Sequence, residues 1–176
     1  MRLFIAFDVS DDVKSYLSGL QKQLPDSNSN LAVEFHLTLK FLGDVDEKQV
    51  PEIISCLKKV KFSKFIAKTG GLGVFPSEKS VRVVWVGLNP EDKILALEKH
   101  ISSVLPDFVD DHEFHPHITL SRIKFVKNKS SFVKKLKSIK TKEIEFEVDS
   151  FKLIKSNLTP TGPVHEVVHE FQSQPL

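Results

Sequence analysis

The stretch EFHLTLKFLG, residues 34–43, alternates in a way that predicts a β-strand with one buried face. Large apolar side chains take every second position and would lie on one face: Phe35, Leu37, Leu39 and Phe41. Polar side chains would lie on the other: Glu34, His36, Thr38 and Lys40. A half-exposed strand of this kind is ordinary by itself. Whether His36 and Thr38 form part of a site therefore depends on whether the chain contains a second such segment.

A second segment does occur, in PHITLSRIK at residues 116–124, with the same order of His, apolar residue, Thr and Leu. His117 and Thr119 each lie 81 positions after their counterparts His36 and Thr38 (117 − 36 = 119 − 38 = 81). The sequence before each motif is also patterned as a strand followed by a helix. We therefore predict two pseudo-symmetric lobes, with the two His-x-Thr-x motifs facing a central cleft.

The remaining periodicity predicts an α+β domain, with antiparallel-rich sheets and helices on the outside. Strands are expected at 2–9, 34–43, 64–71, 72–76, 81–88, 114–123, 143–148, 151–156 and 165–171. Helices are expected after a Ser10 cap up to Pro25, around Pro51, from Asn89 and Pro90 to 105, and over 130–139. The segment PDSNSN at 25–30 is expected to be a loop. With 176 residues and 40% hydrophobic content, we expect a single domain over 1–176.

Composition narrows the class of protein. Lys and Arg number 25 and Asp and Glu 23, a formal charge of +2, so the balance is not that of a protein that coats nucleic acid by charge. A single cysteine, Cys56, excludes an intramolecular disulfide and is typical of a reducing compartment. The start MRLFIAFDVSDD fits neither a signal peptide nor a membrane span. We expect a cytoplasmic monomer that does not enter a membrane.

Two imidazoles and two hydroxyls in one cleft suit the chemistry of a phosphate group. Histidines with pKa values near ~6.5 can supply one neutral base and one protonated acid together. Threonine hydroxyls can donate hydrogen bonds to the non-bridging phosphate oxygens. Such a reaction needs no metal ion and no cofactor.

The sequence resembles the two-histidine (2H) phosphoesterase superfamily, and within it the RNA 2′,3′-cyclic phosphodiesterases formerly called 2′-5′ RNA ligases. The resemblance covers nearly the whole chain. It rests on MRLFIAFDV, FHLTLKFLGDV, GLGVFPSEKSVRVVWVGL, FHPHITLSRIKFVK and SFKLIKSNLTPTGPVHEV. It implies a hydrolase of RNA processing that opens a terminal 2′,3′-cyclic phosphate to a 2′-phosphomonoester. Its substrates would be RNA ends or cyclic nucleotides.

The resemblance also implies a role for each motif residue. His36 would be the proton donor to the leaving 3′ oxygen, and His117 the proton acceptor that activates water. Thr38 and Thr119 would bind the phosphate oxygens. Arg122 would add a fixed positive charge to the same group. In a regular strand Arg122 would have the parity of the buried side chains, so it reaches the cleft only if the strand twists, bulges or ends there.

Two segments depart from the family pattern. The lead-in NSNLAVEF, residues 28–35, lacks the fuller sequence that many relatives have before the first motif. His165, in GPVHEV, stands where the family usually has a tyrosine.

Other features leave alternatives open. His115 has the parity of His117 and could join it and His36 at a metal, although Pro116 and the lack of a carboxylate or cysteine pattern disfavour this. Between Lys124 and Lys142 lie eight lysines and no acidic residue, either a solvated helix face or a docking surface for RNA. Phe114 could stack a terminal base or pack in the core, and Trp85 is expected in the core.

The function has alternatives as well. The same site could act on other 2′-linked or cyclic nucleotides, or join RNA ends through a 2′-5′ bond by the reverse reaction. A non-catalytic module that binds RNA ends is the alternative outside enzymes.

Overall fold

The computed structural model describes residues 1–175, and Leu176, the last residue of the predicted domain, lies outside the described residues. Nine strands follow in chain order: β1 Arg2–Asp8, β2 Asn28–Leu31, β3 His36–Asp44, β4 Phe65–Ser77, β5 Ser80–Asn89, β6 His117–Phe125, β7 Glu145–Val148, β8 Ser150–Thr159 and β9 Gly162–Gln172. The helices are α1 Asp11–Gln23, a 3₁₀ turn at Glu47–Gln49, α2 Val50–Leu57, α3 Glu91–Val104 and α4 Lys129–Ser138.

The strands form two antiparallel sheets. One has four strands in the order β3-β1-β8-β9, and the other has five in the order β2-β6-β5-β4-β7. The strands that carry the motifs, β3 and β6, contact each other where the sheets meet. Buried side chains of α1, α2 and α3 pack with Leu37, Leu39, Ile118 and Leu120 in the main core. The predicted α+β class, with helices outside antiparallel sheets, is confirmed.

The two halves of the chain repeat one strand order, as the motifs predict. Elements β1-α1-β3-α2-β4 correspond to β5-α3-β6-α4-β8. The last strand of each half pairs with the first strand of the other half, since β4 pairs with β5 and β8 with β1. Each sheet therefore contains strands from both halves of the chain. The pseudo-symmetry of β3 and β6 therefore fixes the two motifs relative to each other.

A β-bulge interrupts each motif strand at the same place. In the first pair Ala6 lies opposite Thr38, yet Ile5 lies opposite Lys40, so Leu39 is an extra residue. In the second pair Trp85 lies opposite Thr119 and Val84 opposite Ser121, so the extra residue is Leu120. An extra residue reverses the parity of everything that follows it.

The bulges correct the predicted faces after each threonine. Lys40 and Ser121, at 4% and 1% exposed, turn into the protein instead of toward solvent. Phe41 was expected on the buried face but is 59% exposed. It now shares the face of His36 and Thr38, called the cleft face below together with its counterpart on the other sheet. Arg122 reaches the cleft face of β6 by the same shift.

Three local predictions were wrong. Gly70 and Gly71 do not mark a turn, because β4 runs through them with a register shift, so 64–71 and 72–76 belong to one strand. Asn89 does not cap α3, since it ends β5 and Pro90 is the cap residue without a side-chain bond. The expected loop contains β2, whose Asn28–Leu31 pairs with β6. Backbone pairing to a neighbour overrides polar composition there.

Other helix signals are confirmed. The Ser10 side chain accepts a hydrogen bond from the Val13 amide at 3.4 Å, which caps α1. Pro51 lies in the first turn of α2, where its missing amide hydrogen costs no helical bond. The helix therefore begins late rather than being kinked.

The buried Lys40 provides a test of how the bulge is stabilised. Its Nζ contacts Asp110 Oδ2 at 2.8 Å and Ser102 Oγ at 3.1 Å, and its side chain is only 3% exposed. We expect Asp110→Ala to lower the free energy of unfolding by about 2 kcal/mol, because it leaves a buried ammonium without its counter-charge. Lys40→Met should cost less, since it removes the charge and leaves Asp110 in contact with water. Urea unfolding measures both, and a larger loss for Lys40→Met would contradict this order.

Candidate active site

His36 is the first residue of β3 and lies on the cleft face of the four-stranded sheet. Its ring lies 5.2 Å from that of Phe4 and 5.4 Å from that of His165, centroid to centroid. The rings of Phe4 and His165 are 5.0 Å apart, so the three form a compact cluster. Thr38 follows on the same face, opposite the small side chain of Ala6. The first motif thus presents an imidazole that packs against two rings, and on the same face a hydroxyl opposite a small side chain.

His117 is the first residue of β6, the matching position on the second sheet. Its Nδ1 lies 2.6 Å from the backbone carbonyl oxygen of His115. A carbonyl oxygen can only accept, so Nδ1 carries a hydrogen and donates it. In the neutral ring the lone pair is therefore on Nε2, the nitrogen that the carbonyl leaves free. The backbone fixes the ring in the tautomer that a general base requires.

Aromatic side chains surround His117 as well. Phe75 meets its ring edge-on at a centroid distance of 4.8 Å, and Trp85 lies 6.2 Å away. Trp85 was expected in the core, but it is half-buried and sits opposite Thr119 on the cleft face. Gly73 is what makes room for it, because a Cβ at that position would lie 2.2 Å from Trp85 Cζ2. Both imidazoles thus pack against aromatic rings.

Arg122 is the charged residue of the second motif strand. It is exposed and lies on the cleft face of β6, past the bulge. Burial is the main cause that lowers the pKa of both His36 and His117, and the positive charge of Arg122 adds a smaller lowering at each ring. The structure places the five residues that the sequence singles out on the cleft faces of β3 and β6: His36, Thr38, His117, Thr119 and Arg122.

Burial dominates the protonation of both histidines. It lowers the pKa of His36 from 6.5 to about 4, with a further lowering by His165, while Glu34 and Asp8 each raise the pKa by less than His165 lowers it. Burial also lowers the pKa of His117, against the hydrogen bond from its ring to the backbone, which raises it. Without a ligand both rings are neutral at pH 7. An anion placed between them would favour the protonated form of either ring.

Two further residues of the site carry little signal in the sequence. His165 Nδ1 lies 2.6 Å from Glu34 Oε2, and the ring of His165 contacts that of His36. His165 comes from β9, far from both motifs in the chain. Glu34 was placed on the polar side of the first motif, but nothing in its spacing indicated a partner 131 residues away.

The structure shows where the residues of the other open alternatives lie, and for the lysines both interpretations stay open. His115 is exposed, and its ring packs 4.9 Å from that of Trp85 at the edge of the site. Phe114 packs against the main core, as one of its two interpretations held. The lysines of α4 and its flanks are exposed, and the buried face of this helix is Phe132, Val133 and Leu136. Within residues 1–175 no helix is both long enough and apolar enough to span a bilayer.

A phosphate anion should shift the titration of both rings. In the free protein we expect the NMR midpoint of His36 near 4 and that of His117 below 6.5, because burial disfavours the charged rings. Adenosine 2′-monophosphate should raise both midpoints by roughly one to three pH units, since its negative charge stabilises imidazolium. Adenosine, which lacks the phosphate, is the control. A His36 midpoint that starts near 6.5, or two rings that ignore the nucleotide, would contradict the described environment.

Comparison with known proteins places this arrangement in a family. A model of the 2′-5′ RNA ligase superfamily matches residues 10–160. A protein of Methanocaldococcus jannaschii named RNA 2′,3′-cyclic phosphodiesterase is 34% identical over 176 residues, covering 97% of this chain and 100% of the relative. A protein of the same name from Thermotoga maritima is 36% identical over 180 residues, covering 98% and 95%.

Solved structures agree with the fold. A structure from Thermus thermophilus, 27% identical, superposes with a TM-score of 0.79 over 98% of this chain and 97% of the other. The LigT protein of Escherichia coli, solved in complex with 3′-AMP, superposes with a TM-score of 0.80 over 99% and 98%. It is 21% identical, so this likeness shows the fold alone. On the match to its model and the full-length relatives, the chain belongs to the 2′-5′ RNA ligase superfamily.

Proposed function

We propose that the protein hydrolyses the 2′,3′-cyclic phosphate at the end of RNA to a 2′-phosphomonoester, by metal-independent acid and base catalysis. The observation that carries the proposal is the pair of matched motifs on β3 and β6, with one histidine already held as a base. The bond from His117 Nδ1 to the His115 carbonyl oxygen, at 2.6 Å, leaves Nε2 free to accept a proton. Relatives of similar length that carry the name of this activity support the substrate.

The two histidines divide the proton transfers. His117 Nε2 takes a proton from water as the water oxygen bonds to phosphorus. The bond from phosphorus to the 3′ oxygen breaks, and His36 gives its proton to that oxygen as it leaves. The phosphate stays on the 2′ oxygen. The resulting His36 base and His117 acid exchange protons with solvent before the next turnover.

His36 needs a proton before it can act as the acid. Its pKa of about 4 means that the free protein rarely holds one at pH 7. The carboxylates of Glu34 and Asp8 already raise this pKa, and the anionic cyclic phosphate supplies the further stabilisation of the protonated ring on binding. His36 is therefore protonated as the substrate binds, rather than before it binds.

The remaining motif residues would hold the phosphate. Thr38 and Thr119 are half-buried on the cleft faces, two positions after each histidine, and can each donate a hydroxyl to a non-bridging oxygen. Arg122 supplies a charge that does not depend on pH near neutrality. As negative charge develops on these oxygens in the transition state, preorganised donors lower the barrier.

The partner is accordingly an RNA end or a cyclic nucleotide. The family also carries the description of a 2′-5′ RNA ligase. Ligation is the same chemistry in reverse, with an RNA 5′ hydroxyl in place of water, and it is the second candidate. A monomeric state and a cytoplasmic location stay predictions.

The reaction can be tested by the identity of its product. Adenosine 2′,3′-cyclic phosphate, incubated with the protein and excess EDTA, should yield adenosine 2′-monophosphate. Chromatography separates it from the 3′ isomer. Recovery of only the 3′ isomer would reject the assigned leaving group, and no product from any cyclic or 2′-5′-linked substrate would reject the enzyme class.

The roles can be tested by substitution. We expect His36→Ala and His117→Ala each to lower kcat by roughly 10²- to 10⁴-fold, the usual range for an acid or base. Thr38→Val and Thr119→Val should lower kcat/KM by roughly 10-fold, since each removes one hydrogen bond to the transition state. His112→Gln, at an exposed position outside both motifs, is the matched control.

Binding measurements separate catalysis from recognition. The two alanine variants should still bind adenosine 2′-monophosphate, because Arg122 and the threonines remain. If binding and activity fell in parallel while the wild-type protein showed no turnover, the protein would instead be an RNA-end-binding module.

A further inference from the structure

At one end of the cleft His165 meets Glu34 and His36, and the proposed reaction gives this third side chain no role. Glu34, His36 and His165 each place one nitrogen or oxygen atom so that the three atoms lie within 4.8 Å of one another. The two histidines are half-buried and the carboxylate is exposed. The cluster is therefore open to a small ion from solvent.

Backbone geometry brings these residues together. Glu34 precedes β3 and His36 begins it, while His165 comes from β9 at the far side of the four-stranded sheet. The sheet curls enough for the His165 ring to reach within 5.4 Å of the His36 ring across Phe4. The curvature of the sheet, not the sequence spacing, creates the cluster.

The donor set matches a transition-metal ion. Two imidazole nitrogens and one carboxylate oxygen form a common protein ligand set for Zn²⁺, with the fourth position left to water. Mg²⁺ and Ca²⁺ prefer oxygen ligands, so two imidazoles make this site a poor one for either ion. Bonds of about 2.0–2.2 Å in a tetrahedral site place ligand atoms roughly 3.4 Å apart. The exposed Glu34 side chain can supply the small movement required.

We propose that Glu34, His36 and His165 bind one Zn²⁺ ion, and that the bound ion inhibits the enzyme. The inhibition rests on the proposed function, because it acts by occupying the His36 nitrogen lone pair. A metal-bound His36 cannot carry a proton to the leaving 3′ oxygen. A catalyst that needs no metal is thereby made sensitive to one.

The site differs from the metal alternative suggested by the sequence. That alternative joined His115 and His117 to His36. Within residues 1–175 the cluster whose ligand atoms lie close enough to hold one ion contains His165 and Glu34 with His36 instead.

Metal binding is measured first, without reference to activity. The full-length protein, stripped with EDTA and dialysed, is titrated with Co²⁺ while its visible absorption is followed, and Zn²⁺ is then added as a competitor. We expect one ion per chain and displacement by Zn²⁺. His165→Gln and Glu34→Gln should each weaken binding by at least about 10-fold, since each removes a ligand.

His112→Gln serves as the control for binding to exposed histidines, and it should leave the titration unchanged. An absence of any saturable site would overturn the proposal. So would binding that survives His165→Gln or that is lost in His112→Gln. None of these results depends on hydrolysis, so a failure here is distinct from a failure of the proposed function.

Inhibition is measured second, with adenosine 2′,3′-cyclic phosphate as substrate. Each variant is compared with its own rate in EDTA, so changes in basal activity do not enter. Zn²⁺ should inhibit the wild-type protein at the concentrations that displace Co²⁺, and EDTA should restore activity. His165→Gln should shift half-inhibition to at least about 10-fold more Zn²⁺. Unchanged half-inhibition in that variant, or activation by Zn²⁺, would overturn the inhibitory role.

Discussion

One extra residue in each motif strand decides which side chains face the cleft. The bulges at Leu39 and Leu120 reverse the parity of the strand just after each threonine. Without them Arg122 would turn into the core, where its charge would be costly, and Lys40 would stand in the cleft in place of Phe41. The imidazole and the hydroxyl precede the bulge on each strand, so ordinary alternation presents the same pair of side chains on both. The strands differ just beyond this pair, where one presents an aromatic ring and the other a guanidinium.

The immediate surroundings of the two histidines differ as well. Burial, with a smaller contribution from the charge of Arg122, lowers the pKa of both histidines, which suits a base and hinders an acid. His117 has its tautomer fixed by a backbone carbonyl, whereas His36 has the carboxylates of Glu34 and Asp8 nearby to favour its protonated form. The local surroundings thus support the proposed division of tasks between the nearly identical motifs. The anionic substrate would complete the arrangement by favouring a proton on His36.

Much of this could be predicted from the sequence, because the relevant signals are local. The alternation in residues 34–43, its repeat 81 positions later and the helix signals at Ser10 and Pro51 are properties of short segments. The pairing of strands, by contrast, is not a property of any single short segment. Alternation alone put Lys40 and Phe41 on the wrong faces, since a bulge depends on the partner strand and leaves no mark in composition. His165 meets Glu34 and His36 only through the curvature of a sheet built from both ends of the chain.

His36 and His117 are proposed to act on one phosphate in one step. The most direct test is a double-mutant cycle on single-turnover cleavage of adenosine 2′,3′-cyclic phosphate, with His36→Ala, His117→Ala and the combined variant. Residues that act as a unit give strongly non-additive losses. We therefore expect the combined variant to be about as slow as the slower single variant. Losses that multiply across the two substitutions would show that the histidines act independently, and would contradict a shared site.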